Sequence, residues 1–366
     1  MYYYDTAIIG NGFDLYYNQP TRYEDFYKLI KDIHTLSKEE VISKYQSYNI
    51  KDQYEYFKSY LDSNIFLIYF IKYNQFFDSW TAFENELLAI LLKFDEMLKS
   101  IEDNSYSYNK YNKGEAIVFL NNVKNYEDVL NIIEECSMFK YKAMNIHGVV
   151  TNNLIIKLDL PKDSTTSRIR NAVKKYVDVF PKKLYEELED FCKVFCAYLK
   201  IFVKNTQRKT LNEELSAINV VNYNYTSLAE NIFKPQGIMS YIHGTLNKEI
   251  VLGVDSSNNS LKRFFYFFKR IQRVSKGTDY NKIFEIARRS GSIVIVGHSL
   301  DEADDDSLKL LLNRNNYKKI TIYYYGKDKF SKSSLTYNLS RILGRERFDL
   351  FSSFGIIELK QLPELW

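Results

Sequence analysis

The feature that most constrains this chain is a set of four short polar segments, spread from Ile8 to Leu300, each placed where an apolar run ends. They are Ile8-Ile9-Gly10-Asn11-Gly12-Phe13-Asp14-Leu15, Val221-Asn222-Tyr223-Asn224-Tyr225-Thr226, Tyr241-Ile242-His243-Gly244 and Ile295-Val296-Gly297-His298-Ser299-Leu300. The apolar runs before them, Tyr3 to Ile9, Ala217 to Tyr223, Met239 to His243 and Ser292 to Gly297, are rich in Val, Ile and Tyr and read as strands. Further strands are expected at Ile250 to Gly253, Lys319 to Tyr325 and Gly355 to Leu359, with helices at Leu261 to Arg273 and Tyr280 to Arg289 between them. Strands alternating with helices predict an α/β fold with a mainly parallel, Rossmann-like sheet. In such a sheet ligands collect beyond the carboxyl ends of the strands, so loops distant in sequence can share one pocket.

Between the first strand and the second, the pattern changes. Tyr23, Phe26, Tyr27 and Ile30 follow at helical spacing behind Thr21, which reads as an N-cap with Glu24 three residues on. From residue 38 to 215 strand signals are few and a period of 3.6 prevails: Phe57, Tyr60, Leu61, Ile65, Ile68 and Tyr69 form one stripe, and Trp80, Phe83, Leu87, Ile90 and Leu91 another. A third helix is expected from Pro181, and the Ser105 to Lys113 stretch reads as a loop. The organisation expected is therefore a core of residues 1–37 and 216–366, with 38–215 as a large α-helical insertion. A length of 366 residues is enough for that arrangement.

Composition narrows the class. The most apolar stretch, Ile65 to Ile71, is too short to span a bilayer, and no basic segment followed by an apolar run opens the chain, so neither a membrane span nor a secretory signal is expected. Three cysteines, Cys136, Cys192 and Cys196, fit a reducing cytoplasm better than a disulfide framework, and no companion Cys or His pair gives a zinc-site spacing, so no metal is expected. A net charge of +4 does not by itself imply a nucleic-acid partner. The 32 tyrosines can serve as stacking platforms, but they accompany many Asn, Ile and Lys, as codon bias in an AT-rich genome would produce.

Each strand-end segment admits a chemical and a structural reading. Gly10-Asn11-Gly12 can form an anion-binding turn with its N–H groups toward a phosphate, or a plain tight turn; it is not the full GxGxxG fingerprint. Asn224 can grip a carboxamide or position a water, or satisfy its own loop. His243, followed by Gly244 that would let a ligand approach, is a candidate general base, whereas His34 and His147 lie in the helical block and read as structural. After Gly297-His298-Ser299 comes the acidic run Asp301 to Asp306, suited to a helix N-terminus, with Asp304 a candidate ligand. Glu84, one turn beyond Trp80, is an acidic residue that packing does not explain.

Together these pieces resemble the bacteriophage abortive-infection family AbiH. The resemblance lies in Ile9 to Leu15, Pro20-Thr21-Arg22-Tyr23-Glu24-Asp25-Phe26, Trp80 with Phe83-Glu84, Tyr223 to Thr226 with Glu230, Ile242-His243-Gly244, and Gly297 to Leu300 with Asp304. The same order is similar to Sir2-like NAD-binding domains. That similarity implies NAD as cofactor or substrate, with Gly10, Asn11 and Gly12 at the pyrophosphate, Asn224 and His243 at the nicotinamide ribose, and Ser299 on the adenosine side. Asp14, Thr21, Tyr225, Gly244, Gly297, His298 and Asp304 complete the implied cofactor-binding set. Thr226 stands where an Asp is common, and the cysteine pairs of the sirtuin zinc module are missing, which turns the implied chemistry from deacylation to cleavage of NAD itself. The implied function is a cytoplasmic antiphage NAD glycohydrolase acting on a small-molecule nucleotide, with a phage-derived trigger and self-association left open. Two other readings stand beside it: a nucleotide-binding sensor without turnover, and a nucleic-acid effector using the cations and aromatics between Leu261 and Arg289.

Overall fold

The computed structural model describes residues 2–72, 80–102, 106–110, 115–120, 144–150, 153–159, 166–203, 215–255, 261–314, 316–324 and 329–362. Six strands, β1 (Tyr2–Ile9), β6 (Leu215–Asn222), β7 (Met239–Tyr241), β8 (Ser292–Val296), β9 (Lys319–Tyr324) and β10 (Ile357–Gln361), form one sheet in the order β10-β9-β8-β1-β6-β7. Every neighbouring pair is parallel. Numbered within the sheet, the order is 3-2-1-4-5-6, that of doubly wound sheets, with the reversal of direction between β1 and β8. The central strands are apolar on both faces, as a sheet covered by helices on both sides requires: Ala7, Ile8 and Ile9 on β1, Val220 and Val221 on β6, and Ile293 to Val296 on β8 are all buried. Register places Ile8 between Val221 and Ile295. The three loops that follow β6, β1 and β8 therefore leave the sheet side by side.

One face of the sheet packs Ile8, Val221, Ile293 and Ile295 against helices α10 (Lys282–Arg289), α11 (Asp305–Leu312) and α12 (Lys329–Leu343). The other packs Ala7, Ile9, Val220 and Val294 against the short helices α1 (Asn11–Tyr16) and α8 (Leu228–Phe233). The final helix α13 (Arg345–Ser353) leads into β10.

The chain between neighbouring strands β1 and β6 holds helices α2 (Tyr23–Thr35), α3 (Lys38–Lys44), α4 (Tyr54–Leu61), α5 (Ile65–Lys72), α6 (Trp80–Glu102) and α7 (Thr166–Phe202). Their apolar stripes meet in a separate, aromatic-rich core, in which Phe26 contacts Phe191 and Phe195 edge-on and Phe83 stacks on Phe191 at 5.1 Å between centroids. The expected helical periodicity is present here, but the region is not helical throughout. Between α6 and α7 lies a four-stranded antiparallel sheet, β2 (Tyr106–Lys110), β3 (Glu115–Leu120), β4 (Met144–Val150) and β5 (Asn153–Asp159), ordered β2-β3-β5-β4. β2 occupies the stretch expected as a loop, since pairing with β3 supplies backbone partners that local composition does not reveal.

Three further expectations are corrected. Ile250 to Gly253 does not join the sheet; it runs back along the His243 loop, with Val251 N–H donating to His243 O at 2.8 Å, and only Val254 bridges to Phe268. Leu261 to Arg273 is split into a 3₁₀ turn (Lys262–Phe267) and helix α9 (Lys269–Ser275). Thr21 is not a cap: Arg22 holds the N-cap position of α2 without a side-chain hydrogen bond, and the Thr21 hydroxyl turns instead to Asn11.

Candidate active site at the switch point

The loops after β1 and β8 interlock through glycines. Gly297 has φ of +64°, and a Cβ there would stand 2.2 Å from Phe13 N; a Cβ on Gly10 would stand 2.5 Å from His298 Cα, and one on Gly12 2.8 Å from Gly297 O. The close approach also uses up the amides: Gly10 N–H donates to Val296 O at 3.1 Å, Gly12 N–H to Gly297 O at 2.8 Å, and Phe13 N–H to Gly10 O at 2.9 Å. The expected phosphate cradle of free N–H groups is thus absent in this conformation, and of that turn only the Asn11 N–H remains. The glycines are needed for backbone contact between two strands' loops. Asn11 is clipped to the start of α2, its Oδ1 accepting from Thr21 Oγ1 at 2.7 Å and its Nδ2 donating to Thr21 O at 3.3 Å.

The β6 loop is clamped to the same turn. Asn224 Nδ2 donates to Gly10 O and to Asp14 Oδ1, both at 3.0 Å, and Thr226 Oγ1 donates to Asp14 Oδ2 at 2.7 Å. Both amide protons of Asn224 are therefore spent on structure, which leaves its Oδ1 as the atom for a ligand. Asp14 is 1% exposed. Burial pushes its carboxyl up to about 7 against these two hydrogen bonds, so it is a structural acceptor beneath the turn.

His243, after β7, meets a buried ion network. Its Nε2 lies 2.8 Å from Asp304 Oδ1 and 3.3 Å from Arg273 Nη2. A guanidinium cannot donate to a nitrogen that carries a proton, so the shorter contact assigns Nε2–H as donor to Asp304 and leaves Nδ1 as the basic nitrogen of the neutral ring. Arg273 donates to Asp304 at 3.3 Å, and its Nη1 donates to both oxygens of Asp306 at 2.8 and 2.9 Å. Lys269 reaches Glu84 at 2.7 Å, Ala303 O at 3.1 Å and Asp304 at 3.5 Å. Burial alone would raise the Asp304 carboxyl, but Lys269 and His243 outweigh it and hold the group ionised, well below the usual carboxylate range. Burial lowers the pKa of His243 against the pull of Asp304, keeping the imidazole neutral at pH 7. Burial also raises Glu84 to about 7, with Lys269 pulling the other way. His298 accepts from Leu300 N–H through Nδ1 at 2.9 Å, and burial lowers its pKa to about 4. The Tyr223 ring stands edge-on to both histidines.

These groups surround a cavity of about 270 Å³ at the carboxyl ends of the strands. Of the residues singled out in the sequence, Gly10, Asn11, Gly12, Asp14 and Thr21 line it from the β1 side and Asn224, Tyr225 and His243 from the β6 and β7 side. Gly297, His298, Ser299 and Asp304 close the third wall, with Ser299 exposed. Gly244 does not line it. Its φ is +80°, and a Cβ there would meet Glu249 O at 2.1 Å, so this glycine serves a tight turn. The helical block completes the wall through Arg22 and Tyr23, Glu84 on α6 and Leu199 on α7.

Lys269 and Arg273 are the site residues that sequence reasoning missed. They stand within the basic and aromatic stretch offered for nucleic acid, yet they are 3% and 1% exposed. Helix α9 is inverted: it buries Lys269, Gln272 and Arg273 and exposes Ile271 and Val274 at 40% and 74%. The spacing i, i+3, i+4 puts Lys269, Gln272 and Arg273 on one face, which in an ordinary amphipathic helix would meet solvent; here the carboxylates of Glu84, Asp304 and Asp306 make burial of the cations tolerable. In the same stretch Phe264 and Phe267 belong to the helical core. Besides Asp304, both Asp305 and Glu302 pair with Arg341, and Asp306 pairs with Arg273, so members of the acidic run form ion pairs rather than only facing a helix dipole.

Elsewhere, His34 is exposed, His147 lies on strand β4 rather than in a helix, and Cys136 and the side chains of His147 and Trp80 lie outside the described residues. Burial pushes the Cys192 and Cys196 thiols up to about 12 and about 11. Among the described residues no group of three or more His, Cys, Asp and Glu side chains is arranged to hold a metal ion, and no helix is long and apolar enough to cross a membrane. A family model described as "Bacteriophage abortive infection AbiH" matches residues 7–325, which include every wall of the cavity. No curated protein and no solved structure gives a significant match.

Proposed function

The chain belongs to the bacteriophage abortive infection AbiH family, and from that premise we propose that its switch-point cavity binds NAD and cleaves the bond between nicotinamide and ribose. The observation that carries the proposal is the pairing of a neutral imidazole, His243, with a buried, ionised Asp304 on the wall of a cavity that also presents Asn224. Doubly wound sheets take nucleotides at this switch point. The cavity volume, about 270 Å³, is just below the range of about 300 to 1,000 Å³ usual for small-ligand sites. It suits the nicotinamide riboside end of the molecule, with the remainder toward the rim.

Cleavage of this bond needs no acid for the leaving group. The C1′–N bond breaks, its electron pair neutralises the pyridinium nitrogen, and positive charge develops on the ribose. Water then adds to C1′ and passes its proton to the free nitrogen of His243, whose orientation the Nε2–H bond to Asp304 fixes. Asn224 Oδ1 can accept from that water, and the ionised Asp304 lends negative potential to a site of low dielectric. Together with the family's part in phage abortive infection, this chemistry would end infection by depleting a dinucleotide the infected cell requires.

Purified protein incubated with NAD tests the proposal: His243→Ala should slow NAD loss by about a hundredfold or more. Equal rates for the two proteins would reject His243 as base. Stabilisation of the fold by NAD with no nicotinamide released would replace hydrolysis with the sensor reading.

A further inference from the structure

We infer that Arg22 is the phosphate-binding group of this site, and that the site therefore selects a ribose carrying a 5′-phosphate over the bare nucleoside. The inference rests on the nucleotide reading above and adds to it the group that holds the phosphate.

In a sheet of this order a phosphate would ordinarily lie on the amides of the glycine turn after the first strand. Here those of Gly10, Gly12 and Phe13 are already bonded to backbone oxygens. Opening them would break the interlock of Gly10 and Gly12 with Gly297, whose geometry tolerates no Cβ. The negative charge of a nucleotide must then be met by a side chain. Among the described residues, two with permanently cationic side chains line the cavity, Lys269 and Arg22. Lys269 is 3% exposed and already engaged by two carboxylates, Glu84 and Asp304. Arg22 is the reverse case. It is exposed, and among the described residues it makes no ion pair or side-chain hydrogen bond; its acidic neighbour Glu24 pairs with Lys28 at 2.7 Å.

The backbone under Arg22 is nonetheless firmly held. Thr21 is bonded twice to Asn11, and Pro20 O accepts from the hydroxyl of buried Tyr198 on α7 at 2.8 Å. An exposed guanidinium on a pinned loop at the mouth of a small cavity is suited to a charged group that does not fit inside. Its planar fork matches two phosphate oxygens at once. Asn11, whose N–H is the remaining amide of the glycine turn, lines the same wall.

The experiment compares nicotinamide mononucleotide with nicotinamide riboside, which differ by that one phosphate, using calorimetric titration of the full chain and of Arg22→Ala and Arg22→Lys. Native protein should bind the mononucleotide at least about tenfold more tightly, as expected for charge-assisted hydrogen bonds. Arg22→Ala should abolish that preference while leaving the riboside affinity and the melting temperature unchanged, and Arg22→Lys should restore part of it. Equal losses for both compounds, or an undiminished preference in Arg22→Ala, would overturn the assignment while the nucleotide reading survives. If native protein binds neither compound nor NAD, the nucleotide reading falls and the role of Arg22 with it.

Discussion

Replacing Asp304 by Asn keeps the shape of the side chain and removes its charge, which makes it the sharpest probe of the buried network. The carboxylate accepts from His243 at 2.8 Å and Arg273 at 3.3 Å and faces Lys269 at 3.5 Å. Removing one partner of a buried ion pair costs about 3 to 5 kcal/mol, because the other charge is left uncompensated. Here Lys269 keeps Glu84 and Arg273 keeps Asp306, so the lower end applies, about 3 kcal/mol. In a chain of 366 residues that corresponds to a fall in melting temperature of about 4 °C, read by calorimetry or circular dichroism.

The pH dependence sharpens the test. A carboxyl held below its unfolded value stabilises the fold above that value, and the gain is lost only as the pH falls through the depressed folded value. Asp304's own contribution should therefore be lost only in strong acid, while the difference between native protein and Asp304→Asn should bend near pH 7, where Glu84, which the Asp304 charge helps to raise, titrates. Asp304 is also the principal group that raises the pKa of His243 against burial. Without it the imidazole should protonate at still lower pH, and the acidic limb of NAD cleavage should move down while turnover falls. A melting temperature within about 1 °C of native, or a limb that moves up, would refute the network as described.

Two more predictions concern stability. Gly297→Ala must force a Cβ to within 2.2 Å of Phe13 N at a φ of +64°, and denaturant titration should show a loss of about 3 kcal/mol or more. Gly277→Ala, at a φ of +60° with open space around it, should cost only the left-handed backbone term of about 1 kcal/mol; similar losses for the two would contradict the interlock. His298 has its pKa lowered from 6.5 to about 4, so the unfolded chain takes up its proton first and the fold loses about 3 kcal/mol as the pH drops through that window. His298→Asn, whose Oδ1 can still accept from Leu300 N–H, should remove that loss when compared with native protein at each pH. The comparison must be a difference, because Asp14 and Glu84, both raised to about 7, slope the opposite way; parallel curves would exclude His298 as the source.

Much of the site was legible because each of its strand-end segments is local. Asn224, His243 and Gly297 each follow an apolar run that can only be a buried strand, so their convergence needed only the rule that parallel strands share a carboxyl edge. Their roles were less legible. Asn224 looks like a ligand-gripping amide until its partners, Gly10 O and Asp14, are known. Gly10 and Gly12 look like a phosphate loop until the Gly297 loop takes their hydrogen bonds. In both cases the competing partner lies more than two hundred residues away. The small antiparallel sheet between α6 and α7 went unread for a related reason, since its stability comes from pairing between strands rather than from any one segment's pattern.

By itself, then, the order of apolar runs, glycines and polar strand ends determines a parallel α/β sheet, a helix-rich block between its first two strands and the edge at which the polar loops converge. Local backbone preference and apolar periodicity are written residue by residue, so they survive without coordinates. Tertiary structure alone decided which charges are buried: that α9 turns Lys269 and Arg273 inward while exposing Ile271 and Val274, and that Glu84 and the Asp304–Asp306 segment arrive from two other places in the chain to meet them. A cation is tolerated inside a protein only when its counter-ions are already there, and whether they are is a property of the fold as a whole.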